Sequence, residues 1–189
     1  DFYQSVVSDV VELLKRDHAR RIGFDIDLRQ GPRYEVGVHI CSYREAIRIY
    51  ETAGRTWQRL SFVKARVVAG SQALGQALLE RLQPWVYPRF LTRADLAEIG
   101  MLQHKLEKRA EQSGSEEDVA RSEGGRDDLE LTVQFLQLMH GGELSSVRCG
   151  NTYEALVALE RAGCVTNQEA ALLLENYARL CRLQHQLTV

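Results

Sequence analysis

Two aspartates alternate with apolar residues in the segment GFDIDLRQGP, residues 23–32, and an arginine follows them directly. In a β-strand, alternate side chains point to the same side, so Asp25, Asp27 and Arg29 would share one face. Carboxylates this close together repel each other unless a cation or water lies between them. A Mg²⁺ ion held by carboxylates and substrate phosphates, with the arginine beside a phosphate, fits this pattern. The alternative is a charged strand face that is simply solvated.

A second group with the chemistry of a binding site is the basic segment GRTWQRLSFVKARVVAG, residues 54–70, around Trp57. A basic patch beside an aromatic ring is typical of sites for a nucleotide or an acidic partner. The alternative is a half-buried helix whose long basic side chains reach solvent only at their ends. The cations in this segment are Arg55, Arg59, Lys64 and Arg66.

A third group lies in EGGRDDLELTVQ, residues 123–134, where two glycines precede a predicted helix with acids in its first turns. Acids near a helix N-terminus are stabilised by the helix dipole, typically by ~0.3–1 kcal/mol each, which by itself explains them. A second carboxylate site is the alternative with chemical consequences. The residues of this group are Gly124, Gly125, Asp127, Asp128 and Glu130.

The composition is that of an ordinary globular protein, with 189 residues, 44% apolar and 26% charged. The net charge of −2 predicts no overall attraction to nucleic acid or membrane, and no apolar run is long enough to span a bilayer. The four cysteines have no C-x-x-C spacing, which favours buried free thiols, and no Cys/His spacing indicates zinc. Because the chain begins with Asp1, we expect it to be a piece of a longer protein.

The elements that position these groups are predicted to be mostly helical, in an α+β arrangement with one short antiparallel β element. Residues 2–16 have helical spacing, and the alternation over 24–41 predicts a hairpin-like pair of strands. From Ser42 onward the pattern indicates a helical bundle, with capping signals at helix starts. The state of 57–68 is left open, and the polar, glycine-rich segment 112–126 is predicted to be a flexible acidic loop. The helices are predicted at 42–54, from 71 to near Pro84, from 92 onward, and at 127–140, 152–162 and 167–187.

Taken in order and spacing, the three segments resemble the glutamine synthetase adenylyltransferase/deadenylylase family, within the polymerase-β-like nucleotidyltransferase superfamily. FDIDLRQGP resembles its third acidic strand, and GRTWQRLSFVKARVVAG its G-R-T-W-E-R-x-A-L-x-K-A-R-x-V-A-G block. DVARSEGGRDDLELTVQ resembles its D-V-K-R-G-x-G-G-I-R-D-I-E-F-x-V-Q block, so the resemblance covers nearly the whole chain. It implies that residues 1–41 are the C-terminal part of a nucleotidyltransferase palm, with one helix and two strands, and that 42–189 are its helical bundle.

The resemblance also implies roles for particular residues. Asp27 would be the catalytic, metal-binding carboxylate, and Arg29 the adjacent arginine on the phosphate side. Lys64 and Arg66 are candidate nucleotide or phosphate contacts, and a further candidate site at the edge of the bundle consists of Gly124, Gly125, Asp128 and Glu130. The implied cofactors are Mg²⁺ with ATP or ADP. The implied partners are glutamine synthetase and a PII-type signalling protein in the cytoplasm, with no nucleic acid and no membrane.

The chain also departs from the family pattern. The glycine-serine-aspartate motif, which holds two of the three acids in the family, does not occur, and Gly31, Ala120 and Asp127 replace basic residues. We therefore expect part of an enzyme that regulates nitrogen assimilation by adenylyl transfer to or from a protein tyrosine, inactive by itself. The alternative is a non-catalytic docking bundle that holds a protein partner through 54–66 and the loop at 112–126.

Overall fold

A computed structural model describes residues 2–16, 40–113 and 123–188. The chain divides into two compact units, residues 1–54 and 55–189. In the first unit, helix α1 spans Phe2–Arg16 and helix α2 spans Tyr43–Ala53. The prediction of a helix over 2–16 is confirmed.

Local hydrogen bonds define both ends of α2. The Ser42 side chain accepts from the Glu45 amide at 3.3 Å, and the Gly54 amide donates to the Tyr50 carbonyl at 3.0 Å. A serine that satisfies an amide of the first turn is the expected start of a helix. The predicted capping signal at Ser42 and the helix end at Gly54 are therefore confirmed.

Over the residues that the structure describes, the second unit consists of helices and the irregular segments between them. A single turn of 3₁₀ helix, Ser145–Val147, lies between the fourth and fifth of them. In chain order the helices are α3 Thr56–Val63, α4 Gln72–Val86, α5 Arg93–Ser113, α6 Arg126–Gly141, α7 Thr152–Arg161 and α8 Asn167–Thr188.

Side-chain caps begin most of these helices. Ser71 accepts from the Leu74 amide at 3.3 Å, and Asn151 accepts from the Glu154 amide at 3.1 Å. Reciprocal capping boxes occur at Thr92 with Asp95 and at Thr166 with Glu169. Because a cap depends only on residues three positions apart, these starts are readable from the sequence.

One buried core cluster of this unit lies between α6, α7 and α8. Leu129 and Val133 of α6 pack with Leu156 and Leu159 of α7. Along α8 the predicted apolar stripe packs against this cluster through Leu173, Tyr177 and Leu180. A buried amide closes the turn before α7, since Gln137 donates to the carbonyls of Val147 at 2.6 Å and Cys149 at 2.8 Å.

The predicted α+β class is wrong for the part of the chain that the structure describes, which consists of helices and irregular segments without a strand. The short antiparallel β element is not present there. Residues 40 and 41, predicted to end its second strand, form an irregular segment that leads directly into the Ser42 cap. Alternation alone does not make a sheet, because two strands in isolation are at best marginally stable. The remainder of the predicted pair, 24–39, lies outside the described residues.

Candidate functional site

The predicted site residues fall partly outside the described structure. Asp27 and Arg29 lie outside the described residues, so the metal-binding role of Asp27 and the phosphate-binding role of Arg29 stay predictions. The described candidates belong to the second unit, and they are Lys64, Arg66, Gly124, Gly125, Asp128 and Glu130.

Glu130 is the centre of a polar cluster that joins three helices. Its Oε2 lies 2.5 Å from the Lys64 ammonium, directly after the end of α3, and its Oε1 accepts from the Tyr177 hydroxyl of α8 at 2.9 Å. The Lys64 and Glu130 side chains are only 32% and 20% exposed. Both carboxylate oxygens are therefore engaged by the protein itself, and the ion pair links two sequence blocks that are 66 residues apart.

Tyr177 contributes a hydroxyl that the sequence pattern does not reveal. The apolar spacing of α8 correctly predicts that the Tyr177 ring packs against the core. In the sequence, the one sign that Tyr177 also makes a polar contact is that its hydroxyl lies on an otherwise apolar stripe. Burial, together with the hydrogen bond to Glu130, raises the pKa of Tyr177 to about 12. The phenol therefore stays protonated at neutral pH and remains a donor to the carboxylate.

The two glycines before α6 form its N-terminal turn. Gly124 has a φ of +70°, which favours glycine, and its amide donates to Asp128 Oδ2 at 2.9 Å. Gly125 is the N-cap residue of α6 and is buried. Asp128 therefore satisfies a main-chain donor at a helix N-terminus, as the helix-dipole interpretation of this segment requires.

Arg126, in the first turn of α6, adds a cation to the same end of the helix. Its guanidinium pairs with Asp127 Oδ1 at 3.0 Å and hydrogen bonds to Gln184 of α8, and its Nε lies 3.9 Å from Glu130 Oε1. Burial by itself lowers the pKa of Arg126, but the hydrogen bond and charge of Asp127, with the charge of Glu130, outweigh it and raise the pKa. The guanidinium therefore stays charged and ties α6 to α8.

A second ionic cluster joins α3 to the start of α5. Asp95 Oδ1 accepts from the Thr56 hydroxyl at 2.7 Å and from Arg59 at 3.0 Å, while Oδ2 accepts from Thr92. Burial favours a higher pKa for Asp95, but the hydrogen bonds from Thr92 and Thr56 and the charge of Arg59 lower it overall. The sequence predicts the Thr92 cap but not the long-range pairing, because the partners are 36 and 39 residues apart.

The basic segment 54–70 is thus mostly neutralised within the bundle. Arg55 lies 3.4 Å from Glu98, and Arg59 and Lys64 pair with Asp95 and Glu130. Arg66 is exposed, and no hydrogen bond or ion pair joins it to any residue that the structure describes. The structure therefore does not bring the four cations together as one patch.

Asp128 borders two surface grooves on either side of α6. The groove toward α8 has a volume of about 550 Å³ and includes Asn176 and Arg179. The groove toward α5 has a volume of about 420 Å³ and is mainly apolar, with Leu96, Ile99 and Phe135 in its walls. The segment 123–134 therefore lies at the surface of the bundle. Neither groove has a buried charged group in its walls.

The described residues contain no group of three or more metal-ligating side chains. Both carboxylate oxygens of Glu130 accept from Lys64 and Tyr177, and Oδ2 of Asp128 accepts from the Gly124 amide. Over the same residues, none of the helices has the length and apolar character needed to cross a membrane.

Two family models match successive parts of the chain. The model described as glutamate-ammonia ligase adenylyltransferase matches residues 1–81, and the one described as GlnD PII-uridylyltransferase matches residues 97–189. Both descriptions name nucleotidyltransferases, which is the class that the sequence motifs indicate.

Individual relatives identify the family. The bifunctional glutamine synthetase adenylyltransferase/adenylyl-removing enzyme of Caulobacter vibrioides is 34% identical over 97% of this chain, which covers 19% of that protein. The enzyme of the same name from Pseudomonas putida is 32% identical over 86% of this chain, which covers 17% of it. The chain belongs to the glutamine synthetase adenylyltransferase family and spans about a fifth of the length of these relatives. The resemblance found from the motifs is confirmed.

Proposed function

We propose that this chain is part of an enzyme that attaches an adenylyl group to glutamine synthetase or removes it, and so regulates nitrogen assimilation. The observation that carries the proposal is a contact between the two segments of the bundle that resemble the family, residues 54–70 and 123–134. Lys64 of the first segment and Glu130 of the second lie 2.5 Å apart, although they are far apart in the chain. Identity of 34% to the Caulobacter vibrioides enzyme over 97% of the chain supports the same assignment.

The proposed chemistry centres on Asp27, outside the described residues. Asp27 would hold magnesium and Arg29 would contact a phosphate of ATP or ADP, in a palm that includes residues 1–41. When bound, magnesium would neutralise the charge of the transferring phosphoryl group and favour attack by the incoming oxygen. Residues 42–189 would form the associated bundle. Among the described acids, Asp128 accepts from the Gly124 amide and Glu130 pairs with Lys64.

We further propose that the chain by itself does not turn over nucleotide, because the sequence lacks the glycine-serine-aspartate motif with the other two acids. Glutamine synthetase is the proposed substrate, a PII-type signalling protein is the proposed regulator, and the cytoplasm is the proposed location. Neither nucleic acid nor a membrane is part of this proposal.

The test uses the full-length product of the gene that encodes this chain. Transfer of labelled AMP from Mg-ATP to glutamine synthetase, and its removal, are measured for the wild type and for Asp27→Asn. Asp25→Asn is the matched control, since it removes the same charge two residues away. We expect Asp27→Asn to lose at least about a hundredfold in rate, as expected for loss of charge stabilisation at the reacting phosphate, and Asp25→Asn to retain most activity.

Wild-type rates in Asp27→Asn would refute the catalytic role of that residue. Magnesium-dependent adenylyl transfer by the 189-residue chain alone would refute the proposal that its site is incomplete. A full-length product that lacks both activities but binds glutamine synthetase would instead favour the docking bundle.

A further inference from the structure

We draw no further inference here: the strongest candidate, the mainly apolar surface groove of about 420 Å³ between α5 and α6 with Leu96, Ile99 and Phe135 in its walls, carries no proposal because nothing among the residues that the structure describes shows what covers it.

Discussion

The ion pair between Lys64 and Glu130 allows a quantitative test of how the bundle is held together. Its side chains are 32% and 20% exposed, so the pair lies between the surface and buried limits. Exposed pairs contribute about 0.2–1 kcal/mol, whereas removal of one partner from a fully buried pair costs about 3–5 kcal/mol. We expect Glu130→Gln to lower the free energy of unfolding by about 2 kcal/mol, since it also weakens the bond from Tyr177.

A double-mutant cycle separates the ion pair from other effects. Urea unfolding of the wild type, Lys64→Met, Glu130→Gln and the double variant should give a coupling free energy of about 1–2 kcal/mol. A loss of 2 kcal/mol corresponds to a melting temperature lower by about 4–8 °C in a chain of this size. Glu175→Gln, at an exposed position of α8, is the control and should change stability by less than about 0.5 kcal/mol. A coupling below about 0.3 kcal/mol would show that the close contact adds nothing to stability, and the reasoning from burial would be refuted.

Four further predictions concern the bundle. Asp95→Asn should cost about 1–3 kcal/mol in urea unfolding, because the ion pair with Arg59 is lost; an unchanged midpoint would contradict this. The folded state lowers the pKa of Asp95, so its contribution to the free energy of unfolding is complete above the unfolded pKa of about 4 and disappears as pH falls through the lower folded pKa. We therefore expect the wild type to lose more stability than Asp95→Asn between pH 5 and pH 2. Equal slopes of stability against pH in the two proteins would refute this reasoning. Gln137→Leu should destabilise the fold by about 2 kcal/mol, because the buried Val147 carbonyl and the half-buried Cys149 carbonyl lose their donor. Amide exchange at 145–149 should accelerate, and unchanged exchange would argue against the role of the Gln137 amide. Gly142→Ala should lower the melting temperature, since its Cβ would overlap the backbone before α5, whereas Gly163→Ser, at a left-handed position with open space, should have a smaller effect.

Several parts of the candidate site were accessible from sequence. The motifs identified the family, and the glycines before α6 were recognised as the start of a helix with stabilising acids. The predicted β element was wrong over the described residues, because an alternating pattern gives no information on partner strands. Asp27 was selected by its motif alone, so its role stays a prediction. The pairing of the basic segment was not predictable, since charge spacing along the chain does not specify which acids approach it.

The sequence by itself determined where several of the helices begin and that α8 packs its apolar stripe into the core. Ser42, Thr92 and Thr166 each cap a helix through residues three positions away, and such local interactions need no knowledge of the fold. Only the tertiary structure decided that Glu130 binds Lys64 and Tyr177, which are 66 and 47 residues away. Those contacts exist because packing of apolar faces brings the helices together, and the packing then selects which charged groups meet.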